Sequence, residues 1–232
     1  MKAAIIQSNY IPWKGYFDII HDVDVFILLD DVQYTDRDWR NRNLVKTENG
    51  PQWLTVPIRG GSRQMIREVR IDTGRDWKRK HLRMLEGNYR NSPHFESVFA
   101  RFERILAENH ELLVDLDTAL LRDICDQLGI RTRILSSAEI PSAGVKDGKL
   151  IDLCLKAGAD AYLSGPAGRN YIRPELFARA GIGLSFKDYG HYPEYPQFFP
   201  PFLHGVSILD LLFHTGPRAP EYIWGAETQR AA

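Results

Sequence analysis

The sequence predicts an α/β fold: an open, mainly parallel sheet with helices on both faces, Rossmann-like and of the nucleotide-binding kind, with a small β-hairpin and a helical insertion. Three observations predict it. Two short runs, Ala3–Gln7 and Val25–Leu29, are apolar without alternation, as strands covered on both faces are. Strand, helix and strand fit into 27 residues, Ala3 to Leu29, which is a compact βαβ unit. Later apolar runs near residues 134, 162 and 185 alternate with helical patterns.

Taken in order, the first strand ends in a turn, Ser8 to Trp13, whose Pro12 suits a helix start. Phe17, Ile19 and Ile20 give the following short helix its apolar side. After Val25–Leu29, residues 30–49 read as a polar loop, long for a compact domain and therefore a place to look for function. Gln52–Ile58 and the alternating Ile66–Ile71 read as two strands of a hairpin around the Gly60-Gly61 turn. Residues 75–129 form the helical insertion. Leu82 and Leu85 mark one helix, Phe95, Val98, Phe102 and Ile105 a second, and Leu112–Leu128 a third, ended by Gly129. Thr132–Leu135, Ala161–Leu163 and Gly183–Phe186 complete the sheet. Leu150–Ala157 and Pro174–Ala180 are helices, Phe202–Phe213 ends in another, and the chain after Gly216 reads as frayed.

The 232 residues are read as a single α/β domain, 1–232, long enough to bury about 70% of the unfolded surface. With 44% apolar and 26% charged residues the composition is that of a globular protein. Zero formal net charge argues against general nucleic-acid binding. Cys125 and Cys154 lack zinc or redox spacing, and no His/Cys/Asp/Glu set predicts a metal site. No signal peptide precedes the first strand and no apolar run approaches the ~20 residues of a membrane span. A soluble cytoplasmic protein with no membrane partner is expected.

In a parallel sheet the ligand crevice lies beyond the carboxyl ends of the strands. Two such ends carry unusual chemistry here. Gln7, Asn9 and Tyr10 follow the first strand and could hydrogen-bond a sugar or a nucleobase, or tie the loop's own backbone together, with Trp13 available to stack on a base or sugar ring or to cap the core. Asp30-Asp31 closes the second strand. One of the two could act as general base or hold a phosphate-bound metal; a loop cap or a salt bridge to Arg40 or Arg42 is the competing reading. Arg37, Arg40, Arg42, Lys46 and Lys14 form the densest basic cluster, interleaved with Trp39, Asn41 and Asn43. Arginine forks suit a diphosphate, or the acceptor end of a tRNA, although most charge runs are solvated faces. Ser164, Gly165 and Arg169 belong to a small-residue loop whose N–H groups could approach an anion. His191, among tyrosines, is a further candidate base.

The order of residues from Gln7 to Asn43 also resembles the WbqC-like family. The matching pieces are Gln7 to Asp18 with Tyr10-Ile11-Pro12-Trp13 and Gly15-Tyr16-Phe17-Asp18, then Asp30-Asp31-Val32-Gln33-Tyr34-Thr35 and Trp39-Arg40-Asn41-Arg42-Asn43. Trp53 to Pro57, Tyr162 to Gly165 and Ser207 to Phe213 extend it over most of the chain. The resemblance implies a transferase of surface-polysaccharide biosynthesis (O-antigen, lipopolysaccharide) that adds an aminoacyl, specifically glycyl, group to the amine of a nucleotide-linked amino sugar. The donor is open between an aminoacyl-tRNA and an adenylate formed from ATP with Mg. Two alternatives stand beside it: a nucleotidyltransferase-like adenylate-forming enzyme, and a non-catalytic nucleotide-sugar-binding protein. The strand pattern is also similar to that of nucleotidyltransferases, but their H-x-G-H signature is replaced by Trp13-Lys14-Gly15-Tyr16, so its phosphate role does not carry over.

Overall fold

The computed structural model describes residues 1–190 and 192–225. Strand β1, Lys2–Ile6, is followed by helix α1, Lys14–His21, and strand β2, Val25–Leu28. Next come two antiparallel pairs: β3, Arg42–Thr47, with β4, Gly50–Thr55, and β5, Ile58–Arg59, with β6, Arg70–Ile71. The helical middle is α2, Trp77–Tyr89, α3, Phe95–Ala107, and α4, Leu113–Gln127. Strand β7, Arg133–Ser136, helix α5, Asp147–Lys156, strand β8, Ala161–Ser164, helix α6, Pro174–Arg179, strand β9, Gly183–Phe186, and helix α7, Ile208–Thr215, follow.

The five core strands lie in the order β7-β2-β1-β8-β9, all parallel, with Ile5 beside Ile27 in register. Neighbouring side chains in a strand point to opposite faces, and here each face has its own core. Ala4, Phe26 and Leu28 meet α1 and the helical middle, which supply Phe17, Leu116 and Leu120. Ala3, Ile5, Val25 and Ile27 meet α5 and α6 through Leu153, Cys154 and Phe177. That two-sided burial is why β1 and β2 contain no polar alternation. The order reverses between β1 and β8: the chain leaves β1 for β2 and β7 on one side, then returns through α5 to β8 on the other. Glycine at φ +71 (Gly129) and φ +79 (Gly158) ends α4 and α5 in the left-handed conformation that other residues avoid.

Three expectations are corrected. Residues 30–49 are not all loop, because Arg42–Thr47 pairs with Gly50–Thr55. The strand was hidden because its inward residues include Asn43 and Lys46. Lys46 Nζ donates to Gln197 Oε1 at 2.6 Å, and Asn43 is satisfied by tertiary backbone partners, so no apolar alternation survives. The hairpin expected between Gln52–Ile58 and Ile66–Ile71 is reduced to the β5–β6 pair, while Ile66–Glu68 forms a 3-10 turn. Of the chain expected to be frayed after Gly216, Gly216–Tyr222 is a 3-10 helix, Ile223 is buried and Trp224 stacks on His21 at 4.1 Å, while residues 226–232 lie outside the described residues.

Candidate functional site

A cleft of about 610 Å³ opens at the carboxyl ends of β1 and β8, where the strand order reverses. This is the place where open parallel sheets bind ligands, because the flanking loops diverge to opposite faces. Ile5, Ile6 and Tyr162 give it an apolar wall, and Gln7, Ser164 and Gly165 contribute polar groups. Its outer wall is the start of α5, with Lys146 and Lys149, and the turn carrying Gly168 and Tyr171. Gly168 admits no side chain: a Cβ there would lie 2.3 Å from Ser164 Oγ and 2.9 Å from Ile172 Cδ1. The 3-10 turn 166–170 is thereby pressed against the end of β8.

The adjacent carboxylates after β2 have different environments. Asp30 is buried and accepts from the Ser8 N–H at 3.0 Å and from the Ser8 hydroxyl, while its own N–H donates to Ser137 Oγ at 3.1 Å. It braces the exits of β1 and β2. Burial raises its carboxyl above the ordinary range, against the Ser8 hydrogen bonds and the field of Arg40. Asp31 turns instead to Lys149 and Ser137. Its Oδ2 accepts from Lys149 Nζ at 2.5 Å and its Oδ1 from the Ser137 hydroxyl at 2.6 Å. Burial alone would raise Asp31, but Lys149 and Ser137 outweigh it and hold the carboxyl below its usual range. The Asp31–Lys149 ion pair therefore ties the end of β2 to a residue that lines the cleft.

The expected basic cluster is dispersed. Arg40 is buried; one of its guanidinium nitrogens donates to Ser8 O at 3.2 Å and to Asn9 Oδ1, and the other meets Asp38 at 3.5 Å. Arg42 donates to the Arg37 carbonyl and lies over the Trp53 ring at 4.1 Å. Arg37 is exposed at φ +56. Lys46 and Lys14 point away from the cleft. Lys14 is buried between Tyr192, 4.8 Å from the ring centre, and Tyr195, at 5.4 Å, within 3.4 Å of the Pro193 and Tyr222 carbonyls. Burial lowers its amine to about 8, partly offset by Asp210. A joint grip of Arg40 and Arg42 on a diphosphate is thus replaced by internal contacts. Arg169 stacks on Phe186 at 4.5 Å.

Tyr10 is fully buried, with its hydroxyl 2.9 Å from His81 Nδ1, and Asn41 spends its Nδ2 on the Val56 carbonyl. The Tyr10 hydroxyl is thus spent inside the protein, which corrects that expectation, while Asn41 Oδ1 is buried with no partner among the described residues. Asn9, Trp13 and Trp39 line a separate recess of about 290 Å³. His191 lies outside the described residues. Sequence reasoning missed Lys146, Lys149 and Tyr171. The signal available for the two lysines was their place just ahead of the crossover helix to β8, where the strand order reverses. Among the described residues no group of three or more His, Cys, Asp or Glu is placed to hold a metal, and no helix is long and apolar enough to cross a membrane.

Fold and cleft together define an α/β protein of Rossmann-like strand order with a cleft at the topological switch point. More narrowly, the chain belongs to the WbqC-like protein family, whose model matches residues 7–222. It is similar to an uncharacterized protein of Mycobacterium tuberculosis, Rv1507c, at 47% identity over 225 residues, covering 96% of this chain and 97% of that one. No solved structure matches the chain. Membership of the family points to a role connected with polysaccharide biosynthesis.

Proposed function

We propose that this protein is a transferase of surface-polysaccharide biosynthesis that places an acyl group, aminoacyl and in particular glycyl, on the amine of a nucleotide-linked amino sugar. The observation that carries the reading is the switch-point cleft lined by Lys149, which pairs with Asp31. The amine nitrogen attacks the activated carbonyl carbon and a C–N bond forms. The bond from that carbon to the leaving oxygen, of a tRNA ribose or of an adenylate phosphate, breaks. The proton lost by the amine is taken by a base, for which ionised Asp31, paired with the cleft-lining Lys149, is the candidate. Lys149, held by Asp31, and Lys146 suit the phosphates of the donor or of the nucleotide sugar. Gln7 and Ser164 offer hydrogen bonds inside. Amide formation needs the activated carbonyl and the amine held close together, the carbonyl in this cleft and the amine reaching it from beside Gln7.

Mass spectrometry of the amino sugar tests the reading. One arm supplies glycyl-tRNA; the other supplies glycine, ATP and Mg; each contains UDP- or dTDP-linked amino sugars. The glycyl amide is expected in one arm, with Lys149→Ala lowering kcat/KM by about tenfold or more. Pyrophosphate release with no sugar product would move the protein to the adenylate-forming enzymes. Binding with no turnover in either arm would make it a nucleotide-sugar-binding protein.

A further inference from the structure

We propose that the recess of about 290 Å³ bounded by Asn9, Pro12, Trp13, Trp39, Asn43 and Gly205 is a sugar-binding subsite that seats one pyranose ring against tryptophan. Naming that ring as the acceptor rests on the transfer reaction proposed above; the sugar site itself does not.

The recess is built rather than incidental. Ile11 has φ +37, a left-handed conformation that is strained for a β-branched residue. Asn43 Nδ2 holds the strained turn by donating to the carbonyls of Tyr10, at 3.1 Å, and Ile11, at 3.0 Å. The turn brings Pro12 and Trp13 to the wall of the recess. The Trp13 indole then lies over Gly15, where a Cβ would come 2.3 Å from ring atom Cζ2. Tyr189 and Tyr192 fix it with edge contacts, centroids 5.0 and 5.9 Å away. Across the recess Trp39 is 43% exposed, and beside it Trp53 is 40% exposed, centroids 5.3 Å apart at 44°. Two adjacent indoles each about two-fifths exposed, Trp53 with the Arg42 guanidinium over its ring, are unusual for a surface without a binding role.

The chemistry selects the ligand. A pyranose ring carries a C–H face that packs on indole and hydroxyls that take hydrogen bonds, and a volume near the lower end for ligand pockets suits one ring. Asn9 is oriented by Arg40, which donates to its Oδ1; this leaves Nδ2 as a donor with no partner among the described residues. Among the described residues no carboxylate lines the recess, so the ammonium of an amino sugar is served by indole faces instead. Gln7 lines the switch-point cleft and Asn9 the recess, on either side of Ser8, which Asp30 locks. The two cavities flank one turn, as a donor site and an acceptor site should.

Fluorine NMR of the full chain carrying 5-fluorotryptophan tests this without any turnover, using methyl β-D-glucosaminide and UMP as separate probes. Trp13 and Trp39 resonances, assigned by single Trp→Phe replacements, are expected to move with the glycoside and not with UMP, while buried Trp77 stays still. Trp39→Ala should weaken the glycoside about tenfold and Trp39→Tyr should recover part of the loss. Movement with UMP alone, no movement with either probe, or glycoside binding unchanged in Trp39→Ala each overturns the subsite. Glycoside binding at these indoles in a protein that transfers nothing would uphold the subsite and remove the transfer reaction.

Discussion

At the scale of single residues, burial decides what each side chain can do. His81 is the clearest case. Its Nε2–H donates to the Thr55 carbonyl at 3.1 Å, which leaves Nδ1 to accept from the Tyr10 hydroxyl. Burial lowers its pKa to about 4, against a weaker opposing effect of the Thr55 bond. The unfolded imidazole titrates near ~6.5, so between those values the unfolded chain binds the extra proton. The stability that neutral His81 contributes is complete above about pH 6.5 and drains as pH falls towards 4, by about 3 kcal/mol. Asp117 acts in the opposite sense. It is buried with neither carboxyl oxygen hydrogen-bonded among the described residues, and burial raises its pKa well above normal, so it costs stability as pH rises. The total pH profile therefore mixes both signs, and the useful measurement is a difference. Urea unfolding of the wild type and of His81→Gln should show a stability gap that narrows by about 2 kcal/mol between about pH 7.5 and 4.5. A gap independent of pH would mean that His81 is not held neutral.

At the scale of elements, the turn after β1 depends on a strand that follows it by some thirty residues of chain. Asn43 of β3 is buried and gives both amide hydrogens to the turn, while its Oδ1 accepts from the Leu44 N–H at 2.8 Å. Arg40 reaches the same turn at Ser8 O, and the Tyr10 N–H donates to the Trp39 carbonyl at 3.0 Å. Asn43→Ala deletes two donors and leaves two carbonyls of a strained turn unpaired, which should cost about 2–3 kcal/mol in urea unfolding. Asn43→Asp, nearly isosteric but without a donor, should not restore it. A loss below about 0.5 kcal/mol in both variants would show that the turn holds its conformation without the side chain.

At the scale of the molecule, one buried carboxylate gathers the carboxyl-terminal segment and ties it to the helical middle at Tyr89, beside the Phe213 packing and the His94 N–H to Phe213 carbonyl bond. Asp210 in α7 is fully buried and accepts from the Tyr89 hydroxyl at 2.8 Å, the Tyr195 hydroxyl at 2.6 Å and Gln197 Nε2 at 2.8 Å. Tyr89 in turn accepts from the Lys46 N–H at 2.8 Å, so β3, α2 and α7 meet in one network. Asp210→Ala strands the Tyr89 and Tyr195 hydroxyls in the core, while Gln197 Nε2 keeps the Leu203 carbonyl, and should cost about 3 kcal/mol. Near- and far-ultraviolet circular dichroism should still report one coincident unfolding transition. A separate early transition in the near-ultraviolet signal would show that the segment from Tyr192 onward detaches before the sheet melts.

Much of the architecture is legible in the chain itself. The apolar runs of β1 and β2 announce strands covered on both faces, because no polar residue can stand on either side of such a strand without a partner. The three-and-four spacing of α3 and the glycines ending α4 and α5 act locally, so they can be read locally. Gln7, Ser164 and Gly165 were found because strand ends are marked by where apolar runs stop. Tertiary structure alone decided the rest. It sent Arg40 inward to Ser8 and Asn9, separated Asp30 from Asp31, and brought Lys149 to Asp31 across 118 positions of chain. A charged side chain goes where its hydrogen bonds are satisfied, and those partners come from distant segments. Adjacent charges in the sequence, such as Arg40 and Arg42, therefore say little about which groups share a cleft; the crossing of α5 between β7 and β8 settles that.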